Sequence, residues 1–324
     1  MATAVVRAES LEIAVQLACR APSFHNSQPW RWVFDRGRLH LFIDPDRMVD
    51  TDQAGHETLI SCGAVLDHLR VASAAAGWEA AVARFPDPDD SMHLASIDFR
   101  ALSTVSDAER RRAEAIGHRR TDRLPFAPPA GWAPIEPVLR SAISDDAVFL
   151  DVLADQDRAQ LVEASQMSEA LRLYDSSYHA ELSWWTAPFG THDGIPSTAL
   201  ISAAESDRVD VGRNFPVTDR PERRADMAED RSTIVVLSIR ETSAKNVLRC
   251  GEALSAVLLE CTLAGLATCT LTHIVEVEAS KDILSALIAQ PNPQVLIRVG
   301  TAPAAEDAPP TPRRPVGEVL RYRI

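Results

Sequence analysis

A chain of 324 residues leaves room for about two domains at roughly 150 residues each, and 46% hydrophobic with 24% charged residues supports a substantial core. The formal charge of −13 opposes general affinity for nucleic acid or anionic lipid, because their phosphates would be repelled. No apolar run approaches the roughly 20 residues of a membrane span, and the N-terminus has neither the basic start nor the apolar block of a secretory signal. Cys19, Cys62, Cys250, Cys261 and Cys269 are scattered without a CxxC pair, which points to reduced thiols in a cytoplasmic setting and not to disulfides or zinc. Only Lys245 and Lys281 are lysines, so a bound phosphate would be held largely by guanidinium groups and backbone amides.

In chain order, a helix is predicted from Ser10, as N-cap, through Leu11, Ala14, Val15 and Ala18, with Pro22 as its stop. A hairpin follows: Trp30, Trp32 and Phe34 alternate on one arm, Leu39, Leu41 and Ile43 on the other, and Asp35–Arg38 turn between them. A long helix is predicted over Glu57 to Ala76, ending at Gly77, then a strand over Met92–Arg100 and a helix over Ser106–Gly117. Strands are predicted at Val148–Ala154, Thr233–Arg240 and Val295–Val299, and helices at Gln156–Leu182, Asn246–Ala264 and Ala279–Ile288. Between them, Ser183–Asp230 is a long Pro-, Gly-, Asp- and Arg-rich stretch, and loops of that length are usually functional. Helices and strands mix without regular β-α alternation, so an α+β architecture is expected.

Cys62-Gly63 opens an alanine-rich stretch ending at Gly77, and Cys250-Gly251 opens another ending at Gly265. The equal spacing suggests an internal duplication, although Gly-capped helices of this kind also arise independently.

The densest motif is Ala21-Pro22-Ser23-Phe24-His25-Asn26-Ser27-Gln28-Pro29-Trp30, which places a hydroxyl, an imidazole and two carboxamides in a proline-stiffened loop between helix and strand. It suits the mixed polar edge of a pyrimidine-like ring, and equally a helix-to-strand turn that buries Trp30. The segment resembles the A-P-S-x-x-N-x-Q-P-W hallmark of nitroreductase-like flavoproteins, and with His25 before Asn26 it is most similar to their Acg-type branch. Ordinary members are α+β homodimers with FMN at the interface. By that resemblance Pro22, Ser23, Asn26 and Gln28 approach the flavin, with Phe24 and His25 as neighbours.

The complementary pieces lie in the other half. His118-Arg119-Arg120-Thr121-Asp122-Arg123 resembles the family's Arg-Arg-Ser-x-Arg phosphate segment, and Thr311-Pro312-Arg313-Arg314-Pro315 its C-terminal basic motif; each also reads as a solvated basic stretch. Gly265-Leu266-Ala267-Thr268-Cys269-Thr270-Leu271-Thr272 resembles the Gly-Leu-Gly-Thr-Cys segment whose backbone lies beside the ring, or a plain buried strand in which Cys269 is a small core residue. The resemblance implies a nitroreductase-like fold fused from two related halves, 1–107 with the ring-side loop and 108–324 with the phosphate site, so that one chain is a pseudo-dimer with one FMN and can stand as a monomer.

The activity so implied is transfer of hydride from NAD(P)H through FMN to flat acceptors such as nitroaromatics or quinones, in ping-pong fashion, with positioning and electrostatics carrying catalysis and no side-chain base required. No GxGxxG, phosphate loop, HExxH or GxSxG element competes with this reading, and the nine histidines lack metal-ligand spacing. Within Ser183–Asp230 the cluster Trp184, Trp185, Phe189, His192, Asp193, Gly194, Ile195 and Pro196 lies outside the usual family core. Folded as a lid, it would gate substrate or else seal the flavin in a protein that stores or sequesters FMN; folded away, it would be a surface excursion.

Overall fold

The computed structural model describes residues 6–143, 145–187, 192–303 and 309–323. The chain runs through α1 (Ala8–Ala18), β1 (Trp30–Asp35), β2 (Arg38–Ile43), α2 (His56–Ala75), β3 (Trp78–Arg84), β4 (His93–Ala101) and α3 (Asp107–His118). It continues through α4 (Trp132–Ala142), β5 (Val148–Val152), α5 (Arg158–Leu171), α6 (Ser176–Trp185), the short α7 (Ala203–Ser206), β6 (Thr233–Ile239) and α8 (Ala244–Leu263). β7 (Ala267–Leu271), α9 (Glu278–Ile288), β8 (Pro293–Gly300), α10 (Val316–Val319) and β9 (Leu320–Arg323) complete it.

The mixture is α+β, as expected. One sheet has the order β3-β4-β2-β1-β9 and the other β5-β6-β8-β7. The β1–β2 hairpin pairs Trp30 with Ile43 and Asp35 with Arg38, so alternate residues face inward and Trp30, Trp32, Leu39 and Leu41 are fully buried. The last strand returns to the first sheet, where β9 lies parallel to β1. Residues 320–323 therefore complete a sheet otherwise built from the first hundred residues, and their approach carries Thr311–Arg314 past the end of α1.

The two long helices form the centre. Buried positions run round almost the whole circumference of α2, because it is covered on all sides. α8 packs along it, and one continuous apolar cluster joins both helices to both sheets. The polar residues inside this contact are satisfied across it: the Ser255 hydroxyl donates to Asp67 Oδ2 at 2.6 Å and lies 2.8 Å from His68 Nδ1.

Three expectations change in detail. Ser10 lies inside α1, whose N-cap is Arg7. The predicted helix over Gln156–Leu182 is two helices; Asp175 accepts hydrogen bonds from the amides of Ser177 and Tyr178 and so starts α6 afresh. The stretch after Gly77, predicted only as the end of a helix, enters β3, which pairs along its whole length with β4.

The long insertion packs onto the body of the protein. At its C-terminal end Arg224 donates to Pro125 O at 2.8 Å and to Asp122 Oδ2 at 2.6 Å, both deeply buried. Phe189 lies outside the described residues.

Candidate functional site

The loop between α1 and β1 has a backbone its composition does not announce. His25, Asn26 and Gln28 all adopt positive φ, at 50°, 59° and 54°, without a glycine among them. Conformations of this kind cost of order 1 kcal/mol or more each and persist only where the surroundings over-determine them. Here the surroundings do so. The Phe24 amide donates to Ser61 Oγ of α2 at 3.0 Å, and the Gln28 amide to Ser23 Oγ at 3.1 Å. Asn26 Nδ2 donates to Gly194 O at 2.9 Å and Pro312 O at 3.2 Å; Gln28 Nε2 donates to His192 O at 2.7 Å, while Gln28 Oε1 accepts from the Arg314 amide at 2.8 Å. The two carboxamides thus tie the loop, the insertion and the C-terminal segment together.

A second juxtaposition comes from a short parallel bridge. Thr121 lies beside Thr268, and the Asp122 amide donates to Thr268 O at 2.9 Å. This sets the Arg119–Arg123 segment along β7, although the two are far apart in sequence.

Between these parts lies a cavity of about 510 Å³, within the size range of small-molecule sites. Pro22, Ser23, Phe24 and His25 form one wall, Cys269, Thr270, Leu271 and Thr272 another, and Thr121 and Arg123 a corner. Ile60, Ser61 and Leu254 close it from the central helices. The insertion supplies the remaining side through Ile201, Val209 and Gly212–Phe215. The lining that comes from the insertion is therefore centred on residues 201–215, beyond the Trp184–Pro196 cluster that stands out in the sequence.

A recess of about 60 Å³ shares Pro22, Ser23, His25, Thr121 and Arg123 with the cavity and ends at Arg119 and Arg313. Arg313 donates to Cys19 O at 3.0 Å and to Arg20 O and Ala21 O at 3.1 Å, so it caps the carbonyl end of α1. Arg119 reaches Arg20 O only at 3.4 Å, and its Nε is buried with no hydrogen-bond partner. Burial, then the repulsion of Arg20, pushes the Arg119 guanidinium down to about 10; burial, then Arg119 and Arg20, pushes Arg313 down to about 9. An anion placed here would reverse both shifts.

Other expected residues stand nearby but do not line the cavity. Thr268 is buried within β7, and Arg120 lines a separate recess beside Asp122, at 3.8 Å. Arg314 sits behind the loop, bonded to Gln28 O at 3.3 Å and Asp44 Oδ2 at 3.1 Å. Cys269 lies at the cavity wall, and burial raises its thiol above the ordinary range, which suits a packed thiol and not a nucleophile.

Residues that no motif announces hold the insertion down. The Arg213 guanidinium lies 5.3 Å from the centroid of the Phe24 ring and pairs with Glu276, which also binds Arg172 at 2.6 Å. Phe215 meets His25 edge-on at 5.8 Å and carries Arg123 over its face at 4.8 Å. Burial, then Arg213, pushes the His25 ring well below its ordinary range, which favours a neutral ring at its 3.8 Å approach to Glu181. His25 Nε2 and Asn26 Oδ1 are both buried without partners.

No family model matches the chain. It is 56% identical, over all of its own length and 98% of the relative, to the Mycobacterium tuberculosis H37Rv protein named "Putative NAD(P)H nitroreductase acg". The chain belongs to the Acg-type branch of the nitroreductase-like family. A second relative from the same organism, named "Putative NAD(P)H nitroreductase Rv3131", is 36% identical over 97% of this chain and 92% of its own. Among solved structures, the FMN-dependent nitroreductase NfnB of Mycobacterium smegmatis in complex with NADPH aligns with 67% of this chain and all of its own at 18% identity. Its TM-score of 0.41 is too low to bear on the site.

Among the described residues no helix is long and apolar enough to cross a membrane, and no cluster of three His, Cys, Asp or Glu side chains has the arrangement of a metal site.

Proposed function

We propose that the cavity and its recess bind one FMN and that the protein is an NAD(P)H-dependent oxidoreductase for flat acceptors such as nitroaromatics or quinones. The observation that carries this reading is the recess: the cavity leads to the Arg119 and Arg313 guanidiniums, which have no carboxylate partner among the described residues, as an aromatic ring bearing a phosphate requires. The unpartnered Arg119 Nε and Asn26 Oδ1 fit the same ligand, and the names of the family relatives support the redox class.

In this reading Arg119, Arg313 and Thr121 hold the phosphate. Pro22–His25 and the Cys269–Leu271 backbone flank the ring, and Arg123 bridges the two regions. Bound FMN would supply the acceptance and onward transfer of hydride. The chain's own contribution is positioning: the loop of positive-φ residues is fixed before a ligand arrives, so little ordering cost falls on binding. We place the protein in a reducing compartment, a reading supported by five cysteines that are all buried and unpaired, and we read the chain as a monomeric pseudo-dimer with one site.

The insertion favours a second reading. Arg213 lies over Phe24, Phe215 meets His25 edge-on, and together they enclose the cavity, an arrangement that suits storage or sequestration of FMN as well as gated turnover. An absorbance spectrum of the purified protein, followed by anaerobic NADPH and NADH, separates the readings. Yellow protein that bleaches is a reductase; yellow protein that stays oxidised is a sequestering protein. Colourless protein that refuses added FMN would refute both.

A further inference from the structure

Glu57 lies in the first turn of α2 and lines the cavity described above together with Ile60, Ser61 and Phe24. It also lines a second, larger cavity of about 1420 Å³ on the other side, whose outer edge is formed by the exposed residues Gln53, Ala54 and Trp184. Glu57 therefore stands between the proposed flavin cavity and a space that reaches the surface.

The turn that carries it is held in place. Ser61 Oγ donates to Glu57 O at 2.6 Å and accepts from the Phe24 amide at 3.0 Å, which links Glu57 to the ring-side loop. Asp52 precedes it and accepts from the Thr58 amide at 2.7 Å. Among the described residues no cation pairs with the Glu57 carboxyl. Asp52 and Glu276 face it, while Arg213 and Arg172 across the site are already committed to Glu276, and His56 and Glu181 line the outer cavity. Burial also raises Glu169, the other glutamate of the inner cavity, but there Arg213 and the Asn214 amide act against the rise.

We propose that Glu57 is the proton donor for acceptor reduction in the inner cavity and is reprotonated from the outer one. This rests on the flavin oxidoreductase reading. Two-electron reduction of a quinone to its hydroquinone takes one hydride, supplied ultimately by NAD(P)H, and one proton. The Glu57 O–H bond breaks as one quinone oxygen gains its proton, leaving a carboxylate that recovers a proton from water in the outer cavity. Burial, then the neighbouring Asp52, holds the Glu57 carboxyl well above the usual range, which favours its acid form.

The test uses the full chain loaded with FMN, photoreduced without NAD(P)H and mixed anaerobically with menadione. Wild-type reoxidation should be fast at low pH and fall as the pH rises through the Glu57 titration. Glu57→Gln should be about 100-fold slower and independent of pH, with Glu57→Asp partly restoring both. Separately, 13C NMR of flavin-free protein labelled at glutamate carboxyls should show one resonance, absent in Glu57→Gln, that titrates above the ordinary glutamate range. An unchanged rate and pH profile in Glu57→Gln overturns the inference, as does an ordinary titration of Glu57. Wild-type protein that takes up no FMN, or whose reduced flavin menadione does not reoxidise, overturns the underlying functional reading as well.

Discussion

Gly63 and Gly251 meet reciprocally where α2 crosses α8. A β-carbon on Gly63 would lie 2.0 Å from Leu248 O, and one on Gly251 would lie 2.1 Å from Ile60 O. Each glycine faces the carbonyl three residues before the other. Such reciprocity is the mark of a two-fold relation, and it supports the reading of two fused halves with Cys62-Gly63 and Cys250-Gly251 as equivalent points.

Gly63→Ala and Gly251→Ala should each destabilise the protein by about 3 kcal/mol, because a backbone carbonyl cannot step aside as a flexible side chain can. Gly117, exposed in α3 with nothing near its missing β-carbon, is the control. Gly117→Ala should stabilise by about 0.5–1 kcal/mol. Urea titrations of the three variants check the contrast; equal effects at Gly63 and Gly117 would contradict the close crossing.

Arg119→Gln should weaken FMN binding by about tenfold or more, the cost of one hydrogen bond to a charged group. The flavin-free protein should lose little stability, since the Arg119 Nε is already unpartnered and its one bond to Arg20 O is long. Fluorescence titration with FMN and a parallel thermal melt measure the two effects. Unchanged FMN affinity would remove the recess as the phosphate site.

Phe215→Ala removes the edge-on contact to His25 and the platform for Arg123. An aromatic pair is worth roughly 1 kcal/mol, so FMN release and reduction by NADPH should both accelerate about three- to tenfold if the insertion encloses the flavin. Stopped-flow traces that match wild type would show that this part of the insertion does not limit entry.

The buried Arg213–Glu276 pair sets an acid limb. Burial opposes the Glu276 charge, but Arg213, Arg172 and the Thr272 hydroxyl overcome it and draw the carboxyl down to about 2 from 4.5. A carboxyl depressed by folding stabilises fully above its unfolded value, and that stability is lost as the pH falls from about 4.5 towards about 2. Glu276→Gln should flatten this limb. At neutral pH it should cost about 3 kcal/mol or more, because Arg213 stays buried without its main counter-charge. Denaturant midpoints across the pH range check both statements.

Much of the architecture was legible from local pattern. The alternation of Trp30, Trp32 and Phe34 against Leu39, Leu41 and Ile43 determines which face of the hairpin is buried, since side chains on a strand repeat every two residues. The Cys-Gly echo located the helix crossing, because only glycine tolerates so close an approach. The Pro22–Gln28 loop and the arginine segments carried the family resemblance on which the site assignment was built.

Long-range packing decided the rest. Positive φ at His25, Asn26 and Gln28 has no glycine to signal it; it is imposed by bonds to Ser61, Gly194, His192 and Arg314, contacts that exist only once the chain has folded. The two adjacent arginines at 313 and 314 look alike in sequence. Yet one faces the recess and the other anchors the loop from behind, because the irregular segment leading to α10 sends successive side chains in different directions. Glu57 was unremarkable in the sequence, as was Phe215. Their significance comes from what stands opposite them, and local propensity carries no information about a surface contributed by residues more than a hundred positions away.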